Sequence, residues 1–416
     1  MHAAFRCGRT RRRFTKWDNH YVPLGLYISV PFCRTKCSFC NFASDVFSKA
    51  VFQRYVDRVC ADIQSAATTA EDFRVNFQPA ADTVYLGGGT PTLLDISQLE
   101  RVFVTVSQNF DLTPNAEITV ECAPGTLNAA VIDALARCGV NRVSLGVQSF
   151  VDQESAAVGR LHKRSIVLEE IAQLRSAGIA NISIDLIAGL PHQTMESWQF
   201  SLSETIDSGV PHASVYMLEV DEDSRLGQEL IAGGAKYHAH FVPDEDLTAD
   251  MYETACQTLD RAGVRQYEIS NFAREGFESR HNLKYWTRQP YFGFGVDAHS
   301  MLPGQSPEVN ALRFFTPDTV ERYVAAEAVT ATAISLSAAI EETFFLGLRL
   351  TEGLDLREVR AQFGRPAASE FDDAIADLIH LELLERDGDV VRLTRRGRLL
   401  SNEVFARFID NAESKI

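Results

Sequence analysis

The sequence contains no run of about 18 apolar residues and no charged-then-apolar leader, so neither a membrane-spanning helix nor secretion is expected. Positive charge is also in short supply. Against 56 Asp and Glu stand 40 Lys and Arg, and the net charge of -16 argues against nucleic-acid binding by the body of the chain, since phosphate contacts need a basic face. The exception is residues 1–20, where Arg6, Arg9, Arg11, Arg12, Arg13 and Lys16 make a basic tail, expected to be solvated and flexible, with an acidic partner as the alternative. Paired cysteines are missing as well. Of eight Cys, five (Cys7, Cys60, Cys122, Cys138 and Cys256) have no paired spacing, which speaks against a secreted disulfide framework and for a reducing, cytoplasmic setting. The glycine triplet at 87–89 is followed by no Lys-Ser/Thr pair and does not fit GxGxxG, so neither a nucleoside triphosphate nor NAD is indicated.

What is present is concentrated in one loop. Cys33, Cys37 and Cys40 form CxxxCxxC directly after the apolar run that ends at Val30. Three thiolates on one short loop can hold three irons of a cubane 4Fe-4S cluster and leave the fourth iron open. Zinc would need a fourth ligand, and no second Cys pair or nearby His supplies one; a disulfide would leave an odd thiol. The spacing therefore favours the cluster over zinc or unligated thiols.

At 416 residues and 45% hydrophobic content the chain is expected to form two domains, or a large α/β barrel with an appendage. Strand-like runs at Leu26 to Val30, Thr83 to Leu86, Glu117 to Glu121, Arg142 to Val147, Ser183 to Ile187 and Ser214 to Val220 alternate with helix-length stretches, which predicts an incomplete (β/α)6 barrel over residues 21–302. Gly-rich or polar residues follow the strand ends, the edge that carries the site in such folds. Residues 303–335 read as a linker with a connecting helix. Residues 336–416 read as a mostly helical, winged-helix-like domain, with a hairpin at Leu383 to Leu393 around Asp387-Gly388-Asp389 and a closing helix from Arg396 to Phe408. DNA binding by this module is set aside because acidic residues run through it.

The cysteine loop followed by Gly87-Gly88-Gly89-Thr90-Pro91 resembles the radical S-adenosylmethionine (radical SAM) family. With Gly146-Val147-Gln148-Ser149-Phe150 and Ile184-Asp185-Leu186-Ile187-Ala188-Gly189-Leu190-Pro191, the resemblance narrows to oxygen-independent coproporphyrinogen III dehydrogenase and its paralogues, in order from Tyr27 to about Leu302. It implies a radical SAM barrel, cluster ligation by Cys33, Cys37 and Cys40, and S-adenosylmethionine contacts from Tyr27, Gly88, Gly89, Thr90, Glu121, Gln148, Arg160 and Asp185. Read singly, Glu121 and Asp185 could be helix caps, Arg160 a surface cation and Gln148 a loop support. The catalytic branch carries a fourth Cys two residues after the third, and Phe42 stands there. Downstream, Arg280-His281-Asn282-Leu283-Lys284-Tyr285-Trp286 resembles the haem-chaperone branch, whose HNxxYW segment is associated with haem; a neutral imidazole suits an iron ligand and the aromatics suit a macrocycle. His281 is thus the implied haem residue, and His299 an expected pocket-lining group. The resemblance implies a chaperone that holds the cluster, S-adenosylmethionine and haem, draws on an electron donor and passes haem to an acceptor haemoprotein. The alternative is oxidative decarboxylation of coproporphyrinogen III.

Overall fold

The computed structural model describes residues 22–222, 224–306, 309–364 and 369–409. The basic segment 1–20 lies outside them. The described chain divides into two compact units, one formed by Pro23–Lys284 with Pro290–Ser335, the other by Tyr285–Gln289 with the chain from Leu336 onward.

In the first unit, strands β1 (Leu24–Val30), β2 (Ala80–Gly88), β3 (Asp111–Cys122), β4 (Arg142–Gln148), β5 (Asn181–Ala188) and β6 (His212–Met217) run parallel and adjacent in sequence order. Period-2 alternation sorts their side chains. One face is apolar: Leu26 pairs in register with Val84, Val84 with Ile118, Val120 with Val143, and Leu145 with Ile184. All of these are buried, as both faces of a parallel sheet are. The other face is polar. Tyr27, Tyr85, Thr119 and Arg142 form one rung, and Glu121, Ser144, Ser183 and His212 the next. The Asp185 carboxylate on β5 opposes ionisation of Tyr85 on β2, three strands away, so the polar side chains of this face lie within electrostatic reach of one another. The six-strand partial barrel expected from the sequence is present.

The sheet continues past it. Beyond β6 lie β7 (Arg265–Gln266) and β8 (Asn271–Ala273), and beyond β1 lie β9 (Tyr291–Phe294), β10 (His299–Pro303), β11 (Ala311–Phe315) and β12 (Thr330–Ile334), twelve strands among the described residues. This revises the linker expected at 303–335. Ala311 to Phe315 pairs antiparallel with both β10 and Thr330 to Ile334, and only the helix Val320–Val324 resembles a connector. Proline suggested a linker, but Pro303 closes β10 and Pro317 follows β11, the strand-end positions proline tolerates.

In the second unit, β14 (Leu384–Asp387) and β15 (Val390–Leu393) form the expected hairpin across Gly388-Asp389, with Gly388 at φ +61°, and β13 (Leu354–Asp355) adds a third strand. The single closing helix is instead two, Arg395–Leu399 and Ser401–Ala406, interrupted at Leu400. Phe344, Phe371 and Phe408 pack ring on ring in its core. Arg288 forms a buried ion pair with Glu342 at 2.8 Å, and Arg349 lies 4.3 Å from the Trp286 ring centre.

Candidate cluster and cofactor site

Backbone bonds to distant segments fix the cysteine loop. Cys33 N–H donates to Asp45 O (3.0 Å), Ser38 N–H to Val158 O (3.2 Å), Thr35 Oγ1 to Gly159 O (2.9 Å) and Leu226 N–H to Ser38 O (2.8 Å). The three thiols are free and close enough that Cys37 and Cys40 each oppose ionisation of Cys33. Burial pushes the Cys33 and Cys37 thiols up; at Cys37 the Arg160 guanidinium pulls the other way. A cavity of about 450 Å³ opens beside Cys40, lined by Lys36, Asn41, Asp45, Asp221 and Arg225. A single loop presenting three thiols within electrostatic reach of one another would suit a cubane, although among the described residues the three do not converge as a ready group for a single metal ion; irons would displace the protons that burial retains on Cys33 and Cys37.

The glycine segment lies against this loop. Thr90 N–H donates to Phe32 O (2.8 Å), and its hydroxyl sits 3.9 Å from Cys33 Sγ. A Cβ on Gly89 would stand 2.6 Å from Val30 O, so only glycine permits this approach. Gly88, at φ +93°, faces the Tyr27 hydroxyl and donates its N–H to Glu121 (3.0 Å), whose other oxygen accepts from Tyr85 (2.8 Å). Burial raises the Glu121 carboxyl to about 7. A Cβ on Gly146 would meet Arg160 Nη2 at 3.0 Å and Gln148 Nε2 at 3.1 Å, so those two side chains converge over a strand that has made room for them. Arg160 Nε is buried without a hydrogen-bond partner, on a guanidinium that lies beside Gly146 and Cys37. Asp185 accepts from Ser144 (3.0 Å to both oxygens), Ser183 (3.3 Å) and Ser214. The set fits an amino-acid-like ligand: an open guanidinium for a carboxylate, and carboxylates for an ammonium or ribose hydroxyls.

Tyr27, Gly88, Gly89, Thr90, Glu121, Gln148, Arg160 and the three cysteines thus gather at the strand ends, with Asp185 within electrostatic reach of Glu121. His281 lies one level deeper, its ring centre 6.4 Å from that of Tyr27. It sits 1% exposed against β2, Nδ1 2.8 Å from Thr83 Oγ1, its ring centre 5.2 Å from that of Tyr85, with Gly25 leaving room for it. Glu117 accepts the backbone N–H groups of Arg280 and His281, both at 3.0 Å. Burial holds the imidazole neutral, its pKa lowered to about 3. With the ring 1% exposed, a haem could reach it only if the packing around it opened. His299, half exposed, stacks on Phe315. The sequence reading missed the supporting hydroxyls of Tyr85, Ser144, Ser183 and Ser214, although polar residues at alternate positions of otherwise apolar strands mark them.

Residues 27–203 match the Radical SAM superfamily and residues 334–400 the HemN C-terminal domain. Coproporphyrinogen III oxidase (HemN) from Escherichia coli, described as a radical SAM enzyme, superposes with a TM-score of 0.80 at 24% identity, over 94% of this chain and 90% of its own. Barrel, cysteine loop and matched segments define a radical SAM protein. Heme chaperone HemW of Bacillus subtilis is 34% identical over 391 residues, 92% of this chain and 98% of its own; that of Lactococcus lactis is 33% identical, covering 93% and 97%. The chain belongs to the HemW family.

Proposed function

We propose that this protein is a cytoplasmic haem chaperone: it holds a 4Fe-4S cluster through Cys33, Cys37 and Cys40, binds S-adenosylmethionine beside it, and passes haem to an acceptor haemoprotein, with an electron donor serving the cluster. The observation that carries this is end-to-end similarity to relatives named heme chaperone HemW, over more than nine tenths of both chains. Phe42, standing where the catalytic branch has a fourth Cys, supports it.

The residues suit these roles. Cys33, Cys37 and Cys40 would hold three irons as thiolates, their protons released to solvent, and Arg160, beside Cys37, would offset part of the negative charge. The same guanidinium has a free Nε for the cofactor carboxylate, and Gln148 adds a donor over Gly146. Glu121, poised near 7, becomes a carboxylate when an ammonium approaches, because an opposite charge stabilises its ionised form. When bound, the cluster and S-adenosylmethionine supply one-electron chemistry. The complete cofactor set also favours a second reading, oxidative decarboxylation of coproporphyrinogen III. Anaerobic reconstitution followed by haem titration, transfer to an apo-haemoprotein and a decarboxylation assay separates the two. Haem uptake and transfer without vinyl formation is expected; robust vinyl formation without transfer overturns the chaperone reading.

A further inference from the structure

Large apolar side chains stand exposed on the border of the cysteine loop. Phe42, two residues past Cys40, is 66% exposed. Val46, 56% exposed, follows the Asp45 whose carbonyl accepts from Cys33 N–H. Leu161, 70% exposed, lies two residues past the Gly159 that accepts from the Thr35 hydroxyl. One such residue would need no explanation, but three bordering one short loop suit a surface that another molecule covers. Cations share this rim. Arg34 and Arg225 are exposed, and each gives an N–H to a backbone carbonyl, Gly125 O (3.0 Å) and Lys36 O (3.2 Å), rather than to a carboxylate. Of the acids nearby, Glu222 is exposed, whereas Asp45 and Asp221 are half-buried and accept locally, from Val46 N–H (2.7 Å) and Asn41 (2.9 Å).

In a chain of net charge -16, a rim that is both apolar and basic selects its partner. An acidic protein is repelled by most of such a surface and steered to the cations, whereas a second copy of this chain brings the same excess of negative charge. The rim also borders the thiols suited to iron, with half-buried Cys40 two residues from Phe42. A protein seated here stands close to that loop, as passage of an electron requires, and redox partners make do with small contacts, below about 1,200 Å². We propose that Phe42, Val46 and Leu161, with Arg34 and Arg225, form the docking surface for a small acidic one-electron carrier protein of low potential. One electron leaves the carrier's flavin or iron-sulfur group, which is oxidised, and reduces the cluster by one; no bond forms or breaks. This rests on the cluster reading above and locates the electron donor that the reading calls for.

The test is titration of a fluorescently labelled acidic flavodoxin with the full, cluster-reconstituted chain, read as anisotropy at several salt concentrations. Transfer of haem to an apo-haemoprotein is measured in parallel. The wild type should bind, and its affinity should fall several-fold between about 50 and 200 mM salt. Arg34→Glu with Arg225→Glu should weaken binding about tenfold and flatten the salt dependence. Phe42→Ser with Leu161→Ser leaves the charges in place, and should weaken binding several-fold while keeping the salt dependence. Arg261→Glu, at the end of the helix Glu245–Arg261 that precedes β7 near the start of β6, should bind as the wild type does. Unchanged iron and sulfide content in each variant controls for folding. Flavodoxin binding that is absent in the wild type, or unchanged in both double variants, overturns the docking surface. So does loss of haem transfer in those variants with flavodoxin binding intact, which would give the rim to the acceptor instead. A wild type that binds flavodoxin through this rim but takes up no haem leaves the surface standing and removes the chaperone reading.

Discussion

At the mouth of the barrel Arg160 Nε has no partner and the backbone approaches closely at glycines; further down the same strands His281, Glu117 and His212 are tied to their neighbours, although Thr119 Oγ1 and Arg142 Nε have no hydrogen-bond partner there either. Arg160 Nε has no partner and Gly89 has no side chain, whereas His281 is bound to Thr83 and stacked on Tyr85, Glu117 caps the segment that carries it, and His212 bridges Ser183 (2.8 Å) and the Tyr267 hydroxyl (3.0 Å). A rise of about 3.3 Å per residue separates the two levels by only about 7 Å. The difference teaches that burial and polarity do not by themselves mark a site. An unsatisfied donor alone does not separate the levels, since Arg142 Nε lacks a partner as Arg160 Nε does; what sets the strand ends apart is the glycine backbone and the cysteine loop beside Arg160.

The sharpest break in this contrast is Cys37→Ala. Reconstituted iron and sulfide should fall from about four of each per chain to near zero, because three thiolates are the minimum that retains the cubane, while the floor stays folded. Colorimetric iron and sulfide assays with circular dichroism check both halves.

The converse break is His281→Ala, which should lower unfolding free energy by about 3 kcal/mol, from the cavity left and the Thr83 hydroxyl stripped of its partner, with the cluster retained. Denaturant unfolding measures it. Loss of the cluster with unchanged stability would show that the two levels are not separate.

Glu121 joins the levels and makes the contrast pH-dependent. Its carboxyl rises from an ordinary 4.5 to about 7 through burial. The folded chain therefore keeps a proton that the unfolded chain releases, so this stabilisation is complete below pH 4.5 and is lost as pH rises through 7. His281 slopes the other way. Held down near 3, it costs stability as pH falls from about 6.5, but equally in both proteins compared. Glu121→Gln should thus gain on the ligand-free wild type from pH 5 to pH 8, by about 2 kcal/mol, in unfolding midpoints measured across that range.

The smallest effect is expected at Phe42, 66% exposed beside Cys40. Phe42→Ser should change unfolding free energy by no more than about 0.5 kcal/mol and leave iron content unchanged, because the loop is anchored through its backbone to Asp45 and Val158 and through the Thr35 hydroxyl to Gly159.

Much of the barrel and its mouth could be read locally. The six parallel strands carry period-2 alternation, CxxxCxxC is contiguous, and the glycines follow a strand end, so each needs only neighbours in sequence to be recognised. The strand edges were less legible: β3 starts at Asp111 rather than near Glu117, and Ala311 to Phe315 with Thr330 to Ile334 looked like a linker because their partners are each other and β10.

The sequence by itself settled the six-strand core, the three cysteines on one loop and the hairpin near the C-terminus, since each depends on side-chain periodicity or turn chemistry within a few residues. Only tertiary structure decided that Arg160 and Gln148 converge over Gly146, that His192 meets His238 across 46 residues, and that His281 belongs to the buried floor. The HNxxYW spacing names an imidazole but not its neighbours; those come from Thr83 and Tyr85, about 200 residues earlier, and whether a ring can reach a ligand depends on what the folded chain packs around it.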